Sequence, residues 1–361
     1  MNRYKNCMFG MLLACVLSLS GADARACSRV LYAGNGQAVL NGRNMDWPDA
    51  FNGTDMWLLP RGMKRDGFAT GKSLEWTAKY ASLVAVSYMA PGKGAVADGI
   101  NEKGLAANLL WLADSDYGRR DQSVPGLSIA VWTQYVLDNF STVEEAVAVL
   151  ANPPYQIDTR SIIANGAVLK ANLHLALADK TGDSAIVEYA GGKPVIHHAR
   201  KYAVMANDPI LDRQLENLKR YQGFGGKKPL PGTISPADRF VRGSYYLSKL
   251  PKPATYRQAL AGLFSVMRNM AQPFSTVADP EHPNSSATQW TTVGDITNGT
   301  YYFASATSPF LLWAGFGGFK LDEINSPMKL DMSGDRDLGG DMSAKFVPSR
   351  QFDFMPVADK K

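Results

Sequence analysis

The chain is short of cysteine, short of histidine and short of charge imbalance, and each scarcity narrows what it can be. Of its 361 residues three are cysteines, Cys7, Cys15 and Cys27, and four are histidines, His174, His197, His198 and His282. The histidines stand in no ligand-like spacing. With no His-Glu-x-x-His run and no paired cysteines there is no signature of a metal site, and no cofactor is expected. No Gly-x-Ser-x-Gly turn is present to anchor a serine hydrolase triad. Gly223-Phe224-Gly225-Gly226 and Gly315-Phe316-Gly317-Gly318 lack the strand-to-helix setting of a nucleotide loop and read as turns. Past residue 26 no apolar run approaches the roughly 20 residues that cross a bilayer, so no membrane span is expected. Lysine and arginine total 38 against 33 acidic residues, a formal charge of +5. That balance excludes a polybasic nucleic-acid binder. The 45% hydrophobic and 20% charged content, without repeats, also excludes disorder, collagen and coiled coil.

What is present begins at the amino terminus. Arg3 and Lys5 precede an apolar run over 8–20, and Ala24-Arg25-Ala26 has the small-x-small form of a signal-peptidase site. The expectation is a cleaved leader over 1–26, a periplasmic or secreted product, and a single domain over 27–361. Cleavage removes Cys7 and Cys15, leaving one thiol at the first position of a 335-residue chain of charge +3. Exported proteins usually pair their thiols or avoid them, so a lone terminal cysteine asks for a reason. Three readings compete: an ordinary small core residue, the lipid-bearing cysteine of a lipoprotein, and a nucleophile that uses its own α-amine as base. Lipidation normally needs a leucine-like residue three before the cysteine, where Ala24 stands, and Asp23 and Arg25 interrupt the apolar region. The nucleophile reading has favourable acid–base chemistry. An α-amine titrates near 7.7–8.0 and a thiol near 8.5, so the two can exchange a proton at neutrality. Lipidation would block both groups, so the last two readings exclude each other.

Strand patterns over 28–33 and 37–44 flank a Gly34-Asn35-Gly36 turn. Further strand-like runs cover 74–89 with a break, 94–99, 105–110, 173–178, 185–189, 194–198, 201–206, 288–296 and 300–307. Helical patterns cover 125–139, a segment to 150 behind the capping box Ser141-Thr142-Val143-Glu144, 208–221, 236–250 and 256–270. Strands in neighbouring antiparallel pairs and helices in separate pairs predict an α+β layered fold rather than a doubly wound parallel sheet. The tail from 332 is polar and weakly periodic.

Three segments can carry chemistry. Asn41-Gly42-Arg43-Asn44-Met45-Asp46-Trp47 lies where the second strand returns beside Cys27. Its Arg43 would favour a thiolate, and its Asp46 could orient an amine. In Met205-Ala206-Asn207-Asp208-Pro209, Asn207 either donates its amide to an oxyanion or caps the next helix. In Ser235-Pro236-Ala237-Asp238-Arg239-Phe240-Val241-Arg242, Arg239 either faces the site or is a solvated charge.

Together Cys27 behind its leader, Gly-Arg-Asn-Met-Asp-Trp at 42–47, Asn101-Glu102-Lys103-Gly104-Leu105, Asn207-Asp208-Pro209 and Arg239-Phe240-Val241-Arg242 resemble the choloylglycine hydrolase family. That family of N-terminal nucleophile hydrolases includes penicillin V acylases and bile salt hydrolases. The resemblance spans the mature chain to about residue 242. It implies an αββα four-layer sandwich with two antiparallel sheets, and Cys27 as nucleophile supported by Arg43 and Asp46. It further implies an oxyanion hole from the Asn207 side chain and the Trp111 backbone N–H, with Arg239 completing the site. Trp111 stands where many Gram-positive relatives carry Asn or Tyr, and the interval from Asn207 to Arg239 is short, both as in the Gram-negative branch. A tetramer is therefore not implied, and a homodimer or homotetramer stays open. Trp47 and Trp111 would form a rigid apolar wall for a phenyl or fatty acyl group. The expected activity is amide hydrolysis of an N-acylated small molecule, with penicillin V ahead of N-acyl-homoserine lactones and conjugated bile salts. The alternative from another class is a lipid-anchored envelope protein that binds acylated ligands without hydrolysis.

Overall fold

The computed structural model describes residues 27–47, 53–159, 161–164, 167–273, 286–334 and 337–357. The leader expected over 1–26 lies outside the described residues. The first hairpin forms as its sequence predicts. Gly34 and Gly36 take φ values of +70° and +81°, a backbone region that glycine enters without steric cost. Asn35 Nδ2 ties the turn by donating to the carbonyls of Tyr32 and Ala38 at 2.9 and 2.7 Å. The strands are Ser28–Tyr32 and Leu40–Trp47. The second runs three residues beyond the 37–44 expectation, so Arg43 and Asp46 stand inside a strand.

Two sheets face each other. One runs in the order Val204–Ala206, Ser28–Tyr32, Leu40–Trp47, Ala287–Asp295, Thr300–Ser305, Leu311–Gly315, Gly340–Asp341, antiparallel except for its last pair. The other runs Lys193–His198, Ser184–Ala190, Leu173–Asp179, Leu105–Trp111, Lys93–Asn101, Ser82–Ala90, Thr54–Leu59, Met328–Leu330, Val347–Pro348. Asp353–Phe354 adds to Lys93–Asn101 in parallel.

Helices Pro236–Lys249 and Tyr256–Met270 cover the outer face of the first sheet. Helices Trp132–Asn139 and Val143–Leu150 cover the second. This is the expected four-layer α+β sandwich. Leu83 and Ala85 join the core between the sheets, whereas Val84 and Val86 join the core under the second helix pair. Such strands are apolar at successive positions because both of their faces are covered. Gly42 marks a close approach: a Cβ there would meet Met267 Cγ and Sδ at 2.9 Å, so helix Tyr256–Met270 could not pack as tightly.

Several expectations need correction. The region after Pro125 opens not as helix but as strand Gly126–Ser128, followed by a 3-10 turn, Ile129–Val131, before Trp132. The 67–74 loop draws it into extended form, for Gly126 N donates to the Lys72 carbonyl and Ser128 N to that of Gly67. The 208–221 helix shrinks to Leu211–Leu218; it starts late because Pro209 disfavours helical geometry at Asp208. The 74–89 run does divide at its expected break, into Glu75–Thr77 and Ser82–Ala90. The capping box is displaced by one residue: Thr142 Oγ1 accepts from Glu145 N, and Glu145 Oε2 accepts from Ser141 N. The tail from 332 supplies the three short strands Gly340–Asp341, Val347–Pro348 and Asp353–Phe354.

Candidate active site

Register assembles the centre of the site. Ser28 pairs with Asn44 on one side and with Ala206 on the other. One step further along the same register, Cys27 lies between Met45 and Asn207. Side chains directly opposite each other in a sheet share a face. Cys27, Arg43, Met45 and Asn207 therefore point between the sheets, while Ser28, Asn44 and Asp46 point towards the helix layer.

On the inner face, Cys27 is the only cysteine among the described residues and is buried. Arg43 Nη2 lies 3.5 Å from its Sγ, 3.1 Å from Met45 Sδ and 3.1 Å from the Leu109 carbonyl of the facing sheet. The guanidinium carbon sits 4.7 Å above the Trp290 ring centroid. Arg43 Nε and Nη1 have no hydrogen-bond partner among the described residues. Burial raises the Cys27 thiol pKa above its ordinary value, and the Arg43 charge opposes that rise. Burial thus favours the neutral thiol, beside a cation that favours its anion.

On the helix side, Asp46 is fully buried. Its Oδ2 accepts from Arg239 Nη1 at 2.8 Å and its Oδ1 from Thr288 Oγ1 at 2.5 Å. Arg239 Nη1 also donates to Ser28 Oγ at 2.9 Å. Helix Pro236–Lys249 aims this arginine inward from its first turn, starting at a Ser235 cap that accepts from Asp238 N. Burial pushes the Asp46 carboxyl up to about 6 despite Arg239, and it pulls the Arg239 pKa down. The carboxylate meets Arg239 and Thr288, and it is the backbone carbonyl of Asp46, not its carboxylate, that lies 3.7 Å from the thiol.

Asn207 does not cap the following helix, whose cap residue is Ile210 without a side-chain bond. Its backbone carbonyl accepts from Gln214 Nε2 at 2.7 Å. Its side chain is fully buried, yet neither Oδ1 nor Nδ2 has a hydrogen-bond partner among the described residues. Across the gap, Leu112 N donates to the Asn172 carbonyl. The alternation of backbone groups along Leu105–Trp111 therefore turns the groups of Leu109 and Trp111 to the opposite edge. Arg43 meets the Leu109 carbonyl on that edge, and pairing to Lys93–Asn101 stops at Asn108. The Trp111 N–H leaves the strand in the same direction.

Cys27, Arg43, Asp46, Trp47 and Trp111 all line one cavity of about 90 Å³ whose walls are otherwise apolar, with Met45, Met89, Leu109, Leu173 and Met355 among them. Trp47 and Trp111 meet edge to face, with centroids 6.4 Å apart. Hollows of about 560 and 610 Å³ lie elsewhere and are not lined by Cys27, Arg43 or Asn207.

The structure thus brings Cys27, Arg43, Asp46, Asn207 and Arg239 together, with Trp47 and Trp111 on the cavity. Sequence reasoning missed Ser28, Met45, Thr288 and Trp290. Met45 alone had a local signal, since period two places it on the face of Arg43. Also missed was a buried polar network between the sheets. Arg29 Nε donates to Asn41 Oδ1 at 2.7 Å, Asn41 Nδ2 to Asn108 Oδ1 at 2.9 Å, and Asn108 Nδ2 to Asp98, which also accepts from Tyr301 at 2.6 Å. Burial pulls the Arg29 pKa down to about 9. The network spans both sheets and so fixes the separation across which Arg43 reaches Leu109. No group of three or more His, Cys, Asp or Glu residues among the described residues is placed to hold a metal.

Known proteins resemble this chain in sequence and in fold. The sequence model of linear amide C–N hydrolases of the choloylglycine hydrolase family matches residues 27–325. Penicillin V acylase of Pectobacterium atrosepticum is 40% identical over 94% of this chain and 94% of its own. The structure of penicillin V acylase from Agrobacterium tumefaciens superposes with a TM-score of 0.80 at 42% identity, covering 91% of this chain and 99% of that one. A bile salt hydrolase/transferase of Clostridium perfringens is 28% identical over 73% of this chain and 84% of its own.

Proposed function

Because the chain belongs to the choloylglycine hydrolase family of linear amide C–N hydrolases, we propose that it hydrolyses the amide of an N-acylated small molecule, with penicillin V as the favoured substrate. One observation carries the reading. A buried thiol and a guanidinium line an apolar cavity, and the unpartnered Asn207 amide stands beside Cys27 on the same face of the sheet. Cleavage after Ala26 would free the Cys27 amine on export to the periplasm or beyond. The family match that begins at residue 27 supports this.

In this mechanism the Cys27 thiol passes its proton to its own α-amine, and Arg43 stabilises the thiolate. Sulfur bonds to the carbonyl carbon, and the carbonyl electron pair moves onto oxygen. The Asn207 amide and the Trp111 N–H receive that oxyanion; one such donor typically contributes about 3 kcal/mol to lowering the barrier. The C–N bond then breaks as the α-amine returns its proton to the leaving nitrogen. Water attacks the thioester, the amine taking its proton, and the carboxylic acid departs as the thiol is restored. Asp46, held by Arg239 and Thr288, keeps the start of the chain in place through the strand it shares with Arg43. Trp47 and Trp111 suit an aromatic acyl group.

The test pairs N-terminal sequencing of the exported protein with hydrolysis of penicillin V, an N-acyl-homoserine lactone and a glycine-conjugated bile salt. A chain that starts at Cys27, hydrolyses penicillin V fastest and falls silent in Cys27→Ala at unchanged thermal stability supports the proposal. Turnover retained in Cys27→Ala defeats it. A lipid on Cys27 would instead favour an envelope-anchored binding protein.

A further inference from the structure

The carboxyl-terminal segment looks uninformative as sequence, and the family match stops at residue 325. Yet it returns to the site. Phe352 packs against Trp57 and Tyr88, and Phe354 against Phe68 and Phe352, so two buried aromatics hold the chain on either side of residue 353. Asp353 N donates to the Gly92 carbonyl at 2.9 Å and Met355 N to that of Gly94 at 3.0 Å. Ser128 Oγ donates to the Met355 carbonyl at 3.2 Å, and Val357 N donates to the Phe68 carbonyl at 3.1 Å. Backbone bonds before, at and after residue 355 thus fix the point at which its side chain joins the wall of the Cys27 cavity.

The neighbours decide what that side chain does. Its backbone partners adjoin Ala95 and Ile129-Ala130, and Ala95, Ala97, Ala130 and Ala171 all line the same cavity. Alanine leaves room; on this part of the wall Met89, Ile129 and Met355 provide the bulk, and of these Met355 alone comes from the tail. Met355 is buried, and its thioether side chain carries no charge or strong hydrogen-bonding group, so its contribution is volume.

We infer that Met355, presented by a tail outside the family match, is a specificity-determining residue that sets the length of acyl group the cavity accepts. The inference rests on the amidase reading above, since it assigns the cavity to the acyl group. A pocket that gains or loses one methylene discriminates by roughly 10- to 200-fold. Met355→Ala should therefore favour longer chains, Met355→Trp shorter ones, and Met355→Leu should stay close to the parent.

The full chain and these three variants are assayed on 6-aminopenicillanic acid acylated with straight chains from acetyl to decanoyl. The alkylation rate of Cys27 by iodoacetamide and by its N-phenyl derivative is followed in parallel by mass spectrometry. The expected result is a kcat/KM optimum at longer chains in Met355→Ala and shorter chains in Met355→Trp, each moving the long-to-short ratio by about tenfold or more. The phenyl reagent should gain on iodoacetamide in the first variant and lose in the second. A chain-length profile unmoved in both directions overturns the inference while leaving the amidase reading intact. No hydrolysis by the parent protein defeats the amidase reading, and the alkylation ratio then decides alone whether Met355 sets the cavity size. Should Met355→Ala fail to fold, Met355→Trp against Met355→Leu gives the same comparison.

Discussion

Asn207 offers a perturbation in which stability and activity should part company. Its side-chain amide is fully buried without a hydrogen-bond partner among the described residues. Burying an unsatisfied polar group costs about 1–3 kcal/mol. Asn207→Ala removes that cost and leaves a small void, and its backbone bond to Gln214 survives. The two terms oppose each other, so folding stability should stay within about 1 kcal/mol of the parent. In the proposed mechanism the same truncation deletes an oxyanion donor and should lower kcat by roughly 10²–10³-fold. Asn44 is the matched control, equally buried but fully used: it donates to the Met267 carbonyl and accepts from Thr291 Oγ1, both at 2.8 Å. Asn44→Ala strands both partners and should cost about 1–3 kcal/mol. Urea unfolding and penicillin V hydrolysis on the two variants decide the matter. If Asn207→Ala unfolded as easily as Asn44→Ala while keeping kcat within fivefold, Asn207 would be a structural amide and the oxyanion assignment would fall.

Other predictions follow from the buried charges. Asp46→Asn leaves the Arg239 cation buried without its carboxylate and should cost about 3–5 kcal/mol at neutral pH, read by urea unfolding; a loss under 1 kcal/mol would contradict the pairing. Burial holds the Asp46 proton up to about 6 against an ordinary value near 3.8, so the folded state binds the extra proton between those values. Its contribution to stability therefore falls as pH rises through that window, a slope Asp46→Asn should remove. Glu188 behaves oppositely. It accepts from Leu211 N at 2.9 Å and faces His174 and His197 at 3.5 and 3.3 Å, which bring its carboxyl down to about 2. Relative to an ordinary value near 4.5 that is roughly 3 kcal/mol of stability, complete above pH 4.5 and lost as pH falls towards 2. Glu188→Gln should flatten the acid limb of the unfolding profile, and an unchanged limb would refute the assignment. His197 is raised in the same cluster; its contribution is present below about 6.5 and disappears as pH rises through its folded value, again only while Glu188 is charged.

Local rules made part of the molecule readable as sequence. The Gly34-Asn35-Gly36 turn, the Ser235 cap that starts the Arg239 helix and the alternation that places Arg43 and Met45 on one face depend on residues within a few positions of each other. The strands buried on both faces showed as apolar runs. A lone cysteine behind a leader-like segment, followed by Gly-Arg-Asn-Met-Asp-Trp, was enough to single out Cys27 as the candidate nucleophile and Arg43, which lies 3.5 Å from its Sγ, as a neighbour. The sequence could not say that the Asp46 carboxylate turns away from the thiol. Nor could it say that Thr288 bonds to it, that Arg43 lies over Trp290 and reaches the Leu109 carbonyl, or that Met355 closes the cavity. Those contacts join residues far apart in the chain, and strand register and sheet spacing govern them. A slip of one residue would turn every side chain of a strand to its other face. Chemical type is a local property and was legible before folding. The meeting of distant groups at about 3 Å is decided by the packing of two sheets, and only the tertiary structure contains it.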